Sequence, residues 1–195
     1  MSKYSFLQKE PKKKVSSALI DSVMSQSKQM ETNPIISQRL VDLCNYRIQQ
    51  EEYSARIYFA MSKFLENKGY FGAAKLWNKY SQEEMTHADK FYDYLLRFGI
   101  QPIVPVLEQP QQTYSSLMEI VNISYDHEIE VYNQCKELAL TAFAEQDLML
   151  YPLALQFTAE QSEELSKLQN WKDMFESFGT TPDVLLMIDK TMGEN

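Results

Sequence analysis

One stretch of the chain places a carboxylate and an imidazole three residues apart. Glu84 and His87, in the segment Ser-Gln-Glu-Glu-Met-Thr-His at 81–87, project from the same face if this segment is helical. A carboxylate oxygen beside an imidazole nitrogen provides half of a binding site for a first-row transition metal ion. The pattern also arises by chance on charged helices, where both side chains are usually solvated. It becomes informative if other helices bring further ligands to the same place.

The composition indicates a single helical domain that attracts cations. The chain has 195 residues, of which 44% are hydrophobic and 24% charged, with only 5 glycines. A chain of this length forms one domain with a sizeable core, and its many Leu, Ala, Glu and Lys residues favour helix. The net charge is −8, and after residue 35 there are 13 basic and 24 acidic residues. This charge disfavours general nucleic-acid binding, so we expect no nucleic-acid partner.

The cysteines and the apolar runs predict a cytoplasmic protein that does not interact with membranes. Cys44 and Cys135 form neither a disulfide framework nor a Cys-x-x-Cys metal pair, which favours a reducing compartment. No apolar run approaches the roughly 18 residues that span a membrane, and the N-terminus lacks the apolar core of a signal peptide.

The chain divides into an N-terminal extension, residues 1–34, and a helical domain, residues 35–195. Residues 1–14 are rich in Lys and are expected to be disordered. Residues 15–30 carry apolar residues at helical spacing. One interpretation is a short helix docked on the body or on a neighbouring subunit. A partner-binding or targeting tail is the alternative, and the sequence leaves both open.

Apolar periodicity predicts four long helices and one short helix in the domain. They are expected at about residues 35–67, 71–98, 115–145, 148–178 and 182–191. The segment 99–114 has three prolines and no helical pattern. Extended, it spans roughly 50 Å, whereas the preceding helix measures about 42 Å, so it can run the length of the bundle. The expected fold class is therefore all-α: an antiparallel four-helix bundle with one long crossover and a short fifth C-terminal helix.

Local signals define the helix ends. Asn33-Pro34 is expected to open the first helix, because proline at a first helical turn loses no backbone hydrogen bond. Ser115 or Ser116 with Glu119 matches a capping box, and Asp147 is placed to cap the fourth helix. Glycines at 69, 99 and 179 follow the first, second and fourth helices, where glycine commonly ends a helix.

Each long helix carries a polar group in the middle of its apolar seam. These groups are Glu51; Glu84 with His87; Glu128; and Gln161 with Glu164. In an antiparallel bundle they meet at one level, where carboxylates repel one another unless a cation compensates them. Oxygen ligands with one imidazole suit Fe, Mn or Zn, and a central carboxylate such as Glu84 can bridge two metals. A single buried Glu is usually paired, and a Gln in a seam often fixes register, but four such coincidences favour a metal centre.

The residues around these groups resemble the ferritin-like superfamily, and more closely the non-haem bacterial ferritins. The resemblance covers about residues 36–191. It rests on Glu51 with Tyr58 two turns on, on Gln-Glu-Glu-Met-Thr-His at 82–87, on the segment 125–128 and on Glu-Gln-Ser-Glu-Glu at 160–164. The long crossover and the short terminal helix agree with it.

The resemblance implies iron storage with ferroxidase activity. Such proteins assemble as homo-oligomeric shells of 24 subunits, oxidise Fe(II) with dioxygen or peroxide, and deposit ferric mineral inside. One iron site would be Glu51, Glu84 and His87, and the second Glu84, Glu128 and Gln161, with Glu84 bridging. The iron of this dinuclear site is substrate-like. Tyr58 would be the tyrosine beside the site that hydrogen-bonds a ligand and donates an electron. A third iron site is implied at Glu83, Glu160, Glu163 and Glu164.

The chain departs from related patterns at several positions. Symmetric diiron enzymes carry a second Glu-x-x-His, whereas this chain has Gln161 and Glu164, and a neutral amide holds metal more weakly. The segment 155–157 lacks the Trp that bacterial members often carry. Met85 falls where bacterioferritins bind haem, but non-haem members also have Met there, so haem is not expected. His127 lies off the seam and is expected at the surface, and the cysteines are expected to be core residues.

Two alternatives remain. One is a diiron oxidase, peroxidase-like enzyme or manganese-dependent relative without storage, which would retain its metal and remain a small oligomer. The other is a non-catalytic bundle, either a shell subunit or a helical interaction protein, in which Glu51→Ala or His87→Ala would stabilise the fold by removing repulsion.

Overall fold

The structure is a computed structural model and describes residues 35–194. The N-terminal extension and both interpretations of it lie outside these residues. The described part contains α1 (Gln38–Lys68), α2 (Phe71–Arg97), α3 (Leu117–Ala144), α4 (Leu150–Phe178) and α5 (Pro182–Gly193). The expected all-α fold is thus confirmed, and every helix end lies within three residues of its predicted position. None of the helices of this part combines the length and apolar character that a membrane span requires.

Side-chain hydrogen bonds cap the first turns of α1, α3 and α4. The Ser37 hydroxyl accepts the Leu40 N–H at 3.2 Å, so α1 begins later than the Asn33-Pro34 signal predicted. The capping box of α3 uses Ser116, whose hydroxyl accepts the Glu119 N–H at 3.0 Å. As expected, Asp147 caps α4, since its Oδ1 accepts the Leu150 N–H at 2.7 Å. Gly69 ends α1 with a φ of 86°, a conformation that glycine adopts without a Cβ penalty.

The crossover between α2 and α3 runs along α1. Near its start the Ile103 N–H donates to Asn45 Oδ1 at 2.8 Å, close to the beginning of α1. At its far end the Tyr114 ring packs edge-on against Phe64, near the end of α1, with centroids 5.2 Å apart. Because α2 is antiparallel to α1 across a short turn, α3 starts at the same end of the bundle as α2 and runs parallel to it.

The hydrophobic core consists of two clusters with a polar layer between them. The first cluster includes Ile48, Phe91 and Phe157. The second includes Met61, Trp77, Leu117 and Leu168, and the α5 residues Ile188 and Met192. On each long helix the buried polar group lies between the residues of one cluster and those of the other. The polar layer is made of Glu51, Glu84, His87, Glu128 and Gln161, all of them buried.

The short helix α5 docks on the beginning of α2. Asp189 Oδ1 accepts the Ala73 N–H at 2.8 Å, which satisfies a donor of the first turn of α2. Gly72 allows this close approach, because a Cβ there would lie 1.8 Å from the Asp189 carbonyl oxygen. α5 thereby closes the second hydrophobic cluster.

Candidate metal centre

Three side chains from α1 and α2 form the first half of the polar layer. Ligand atoms of Glu51, Glu84 and His87 lie within 4.8 Å of one another, and all three residues are buried. His87 Nδ1 is 3.0 Å from Glu84 Oε2, as expected for residues three apart on one helix. The imidazole is held edge-on against the Phe157 ring, with centroids 5.2 Å apart. This "first half" therefore offers two carboxylates and one imidazole in one place.

The second half shares Glu84 with the first. Carboxylate oxygens of Glu84, Glu128 and Glu164 lie within 4.8 Å of one another. Gln161 is fully buried beside this group, and its Nε2 donates to Glu164 Oε2 at 2.8 Å. The "second half" thus comprises Glu84, Glu128, Gln161 and Glu164. Because Glu84 belongs to both halves, it is placed to contact two cations.

Three buried oxygen atoms of this layer have no hydrogen-bond partner among the described residues. They are Glu51 Oε2, Glu128 Oε2 and Gln161 Oε1, and they come from α1, α3 and α4. A buried polar atom without a partner costs about 1–3 kcal/mol, so native chains rarely keep one without a reason. All three atoms are hydrogen-bond acceptors, so a bound cation or a hydrogen-bond donor would satisfy them.

Burial and mutual repulsion raise the pKa of three carboxyl groups. The pKa of Glu84 lies well above its ordinary value because of burial and then the charge of Glu51. Burial, followed by the charge of Glu164, raises the pKa of Glu128 as well. Burial and the nearby Glu84 raise the pKa of Glu164 to about 8. Without a metal, the folded chain therefore holds protons here, and a bound cation would displace them.

A small cavity lies at the edge of the second half. Its volume is about 10 Å³, which suits a single ion or water molecule. Its lining is formed by Tyr58, Tyr80, Glu83, Glu84, Glu128, Glu164 and Leu168. The Tyr58 hydroxyl donates a hydrogen bond to Glu128 Oε1. The structure therefore brings the predicted Tyr58 and Glu83 to the same cavity as the carboxylates of the second half.

The remaining predicted residues lie further out. Both carboxylate oxygens of Glu160 accept from Lys90 Nζ at 3.2 Å, and Glu160 Oε2 is 3.5 Å from His87 Nε2. Burial acts to raise the pKa of Glu160, but hydrogen bonds from Gln156 and Lys90 outweigh it and leave this pKa below its ordinary value. Glu163 is exposed. Of the four residues of the implied third site, Glu164 joins the second half and Glu160 pairs with Lys90, so that site stays a prediction.

The expectation that His127 lies at the surface is correct only in part, because the residue is half-buried under α1. Its Nε2 is 2.7 Å from Ser54 Oγ, and its ring meets Tyr58 edge-on with centroids 5.9 Å apart. Burial, with a contribution from the charge of Arg47, lowers the pKa of His127 to about 4. α1 covers this side of α3. Ser54, a polar residue on α1 between Glu51 and Tyr58, was the signal in the sequence that this face of α1 meets a polar side chain.

The sequence analysis also missed Arg47. Its side chain is buried and forms an ion pair with Glu51, four residues later on α1. The spacing of an Arg four residues before a buried Glu indicates such a pair. Cys44 and Cys135 are buried among apolar residues of the first cluster, as expected.

Comparison with known proteins places this architecture among ferritins. A model of the ferritin-like domain family matches residues 41–177. The chain is 30% identical over 159 residues to a "Probable bacterial non-heme ferritin-like protein" of Haemophilus influenzae, covering 82% of this chain and 96% of that protein. It is 30% identical over 158 residues to the "Bacterial non-heme ferritin" of Escherichia coli O6:H1, covering 81% and 96%. An open pore ferritin from Archaeoglobus fulgidus superposes with a TM-score of 0.79 at 28% identity, covering 82% and 98%.

Proposed function

This chain belongs to the ferritin-like domain family, and from that premise we propose that it stores iron and oxidises Fe(II) at the polar layer. The observation that carries the proposal is the set of three buried acceptor atoms without a partner, one each from α1, α3 and α4. They accompany two ligand groups that share Glu84. Fe(II) and Fe(III) are cations with the affinity for carboxylate and imidazole that this set requires.

The proposed dinuclear site has the ligands implied by the resemblance. Glu51, Glu84 and His87 bind one iron, and Glu84, Glu128 and Gln161 bind the other. Gln161 Oε1 is buried and unpaired, which supports its assignment as a ligand. Glu164 lies beside it and is held by the Gln161 amide at 2.8 Å. In this proposal Glu164 would receive iron that leaves the site, together with the other residues of the proposed third site.

The proposed reaction moves two electrons from two iron ions to one oxidant molecule. Each Fe(II) loses one electron, and dioxygen takes up both electrons and two protons to give hydrogen peroxide. With peroxide as oxidant, the same two electrons and two protons break the O–O bond and give two water molecules. The carboxylates of both halves compensate the charge of the Fe(III) ions. Tyr58 donates a hydrogen bond to Glu128, and this contact supports the proposal that Tyr58 lies beside the bound iron and orients its ligand.

We further propose that the chain assembles as a homo-oligomeric shell, with 24 subunits as the family resemblance implies. Exposed apolar side chains support an association surface: Phe59 is 50% exposed and Met85 45%. Both line one groove between α1, α2 and the crossover segment. Ferric mineral would be deposited inside the shell, which makes iron a substrate and a stored product.

The test is aerobic addition of Fe(II) to the metal-free protein, first at two and then at many equivalents per subunit. Ferric absorbance is followed, and particle mass is determined on the same sample. Rapid oxidation of about two iron ions per subunit, followed by soluble mineral formation in a large particle, is the expected result. Oxidation that stops near two in a small oligomer would indicate a diiron redox enzyme. A rate equal to that in buffer would exclude ferroxidase activity.

A further inference from the structure

Beside the first half, Arg47 is a buried cation. Its side chain is 2% exposed and the Glu51 side chain 1%. The guanidinium donates to Glu51 Oε1 and also to Gln134 Oε1 on α3. Gln134 Nε2 in turn lies 3.5 Å from Gln50 Oε1. The guanidinium is thus held between α1 and α3 through its two terminal nitrogens, whereas its Nε has no partner among the described residues.

This arrangement divides the two oxygens of Glu51. Oε1 is engaged by Arg47, and Oε2 is the buried atom that lacks a partner. A metal bound through Glu51 therefore meets one free oxygen rather than two. The guanidinium keeps its charge at all pH values at which proteins fold. A permanent positive charge consequently lies across the Glu51 carboxylate from the free oxygen.

Such a charge weakens the binding of every cation at this half. Buried charges interact strongly because little water screens them. The repulsion grows with the charge of the metal, so it acts more strongly on Fe(III) than on Fe(II). The same charge also compensates carboxylates in the metal-free state, since Arg47 favours the ionised forms of Glu84 and Glu128. Both effects lower the gain in free energy when a metal enters.

We propose that Arg47 is a positioning residue that limits how tightly the first half retains metal, by occupying Glu51 Oε1 and by its fixed positive charge. The inference deepens the proposed function. A protein that passes iron into a store must release each oxidised ion, whereas an enzyme with a resident metal must keep it. Arg47 favours release.

The test uses Zn(II), which binds the same ligand types without redox chemistry. Isothermal titration calorimetry on the metal-free, full-length protein gives a Kd for each Zn(II) equivalent, and the equivalent that is lost in His87→Ala is assigned to the first half, because His87 belongs to that half alone. Arg47→Gln keeps a donor for Glu51 but removes the charge, and its Kd is expected to fall by about tenfold or more. Gln134→Glu keeps Arg47 and gives it a second carboxylate, so Kd is expected to fall in the same direction.

Two control variants separate charge from structure. Arg47→Lys preserves the charge, and its Kd is expected to stay within about threefold of wild type. Arg39→Gln removes a charge from an exposed position of the same helix, 66% accessible, and should leave Kd unchanged. A merely structural role for Arg47 would make metal binding weaker in Arg47→Gln, never tighter. If Arg47→Gln does not fold, Gln134→Glu gives the answer.

The outcomes distinguish this inference from the proposed function. An unchanged or higher Kd in the folded variants overturns the role of Arg47. Tighter Zn(II) binding in a protein that does not accelerate Fe(II) oxidation supports the role of Arg47 in metal retention and overturns the ferroxidase proposal alone. A wild-type protein that binds no Zn(II) at this layer overturns both. With iron, Arg47→Gln is expected to recover more slowly between successive additions of two Fe(II) per subunit, because Fe(III) leaves later.

Discussion

The two halves of the polar layer differ in how their carboxylates are compensated. In the first half Glu51 faces the guanidinium of Arg47, a full positive charge. In the second half Glu128 accepts from the Tyr58 hydroxyl and Glu164 from the Gln161 amide, both neutral groups. A neutral donor offsets less of the penalty for burying a carboxylate than a cation does.

The difference has a consequence for metal binding. The pKa values of Glu128 and Glu164 are raised, by burial and then by each other or by Glu84. Metal binding at the second half should therefore displace protons from Glu128 and Glu164, whereas in the first half Arg47 compensates the charge of Glu51 in advance and a proton is displaced from the shared Glu84. Two sites joined by one bridging carboxylate can thus differ in affinity although their ligands are similar, because the surrounding groups differ.

The largest effect is expected from Glu84→Gln. This change removes the ligand that both halves share, so neither half keeps its full set of ligands. Fe(II) oxidation should slow by at least about a hundredfold, or about 2.7 kcal/mol of activation free energy. Initial rates at two Fe(II) per subunit measure the effect. Asp89→Asn, an exposed change on the same helix, serves as the control. A Glu84→Gln protein that keeps more than a tenth of the wild-type rate would contradict the shared-ligand assignment.

Gln161→Glu would make the second half resemble a site for a resident metal. The substitution replaces the buried, unpaired Oε1 and the amide that donates to Glu164 with a carboxylate. We expect the Zn(II) equivalent of the second half to bind about tenfold more tightly and the metal-free protein to become less stable, because another charge is buried. Calorimetry and thermal unfolding measure the two changes. Asn170→Asp, the same amide-to-carboxylate change at an exposed position of the same helix, is the matched control, and equal behaviour of the two variants would refute the assignment of Gln161.

Tyr58→Phe tests whether the neutral donor matters to the second half alone. The change leaves Glu128 without its hydroxyl donor. We expect the metal-free protein to lose about 1–2 kcal/mol of stability, the usual effect of removing one partner of a buried hydrogen bond. The Zn(II) equivalent of the first half should be unaffected, and that of the second half should bind a few-fold more tightly, because Glu128 without its donor gains more from a cation. Tyr94→Phe, which removes a hydroxyl donor from Asp147 outside the polar layer, is the control. A changed affinity at the first half would show that the halves are not separable in this way.

Helical periodicity was sufficient to predict the fold, the crossover and the depth of the main polar groups. Glu51, Glu84, Glu128 and Gln161 each interrupt an apolar seam, and a seam residue is buried wherever the helices meet. The third-site residues were harder, because Glu160 and Glu163 are off the seam and their positions depend on neighbours such as Lys90.

Residues beside the seam are positioned by packing between helices, which periodicity on one helix does not reveal. His127 was expected at the surface, yet Ser54 and Tyr58 of α1 cover it. Arg47 lies on α1 next to the seam, and its partner Gln134 is 87 residues away on α3. The i, i+4 spacing from Arg47 to Glu51 was visible in the sequence, but that spacing is equally common on solvated helix faces.

The smallest effect concerns the stability of the metal-free protein as a function of pH. Glu84, Glu128 and Glu164 have raised pKa values, so the folded chain holds protons that the unfolded chain has released. Their contribution to stability is fully present below about pH 4.3, the ordinary glutamate pKa, and is lost as the pH rises toward the raised values. His127 acts in the opposite direction, because its pKa is lowered to about 4. Between about pH 4 and 6.5 it makes stability rise with pH, and above about 6.5 it has no further effect.

Above about pH 6.5 His127 no longer changes the stability, so the pH dependence of stability there reports on the carboxylates of the second half. Between about pH 6.5 and 8 the unfolding free energy of the metal-free protein should fall, by up to about 1.4 kcal/mol per pH unit for each proton that only the folded chain holds. Thermal unfolding at constant protein concentration measures this slope. Glu164→Gln removes the group whose pKa is raised to about 8, so it should flatten the slope, whereas Glu163→Gln at an exposed neighbouring position should not. Saturating Zn(II) should abolish the slope, because the metal displaces those protons and neither the folded nor the unfolded chain then holds them. A stability that rises or stays constant over this window without metal would mean that the carboxylates of the second half are compensated as fully as Glu51 is by Arg47.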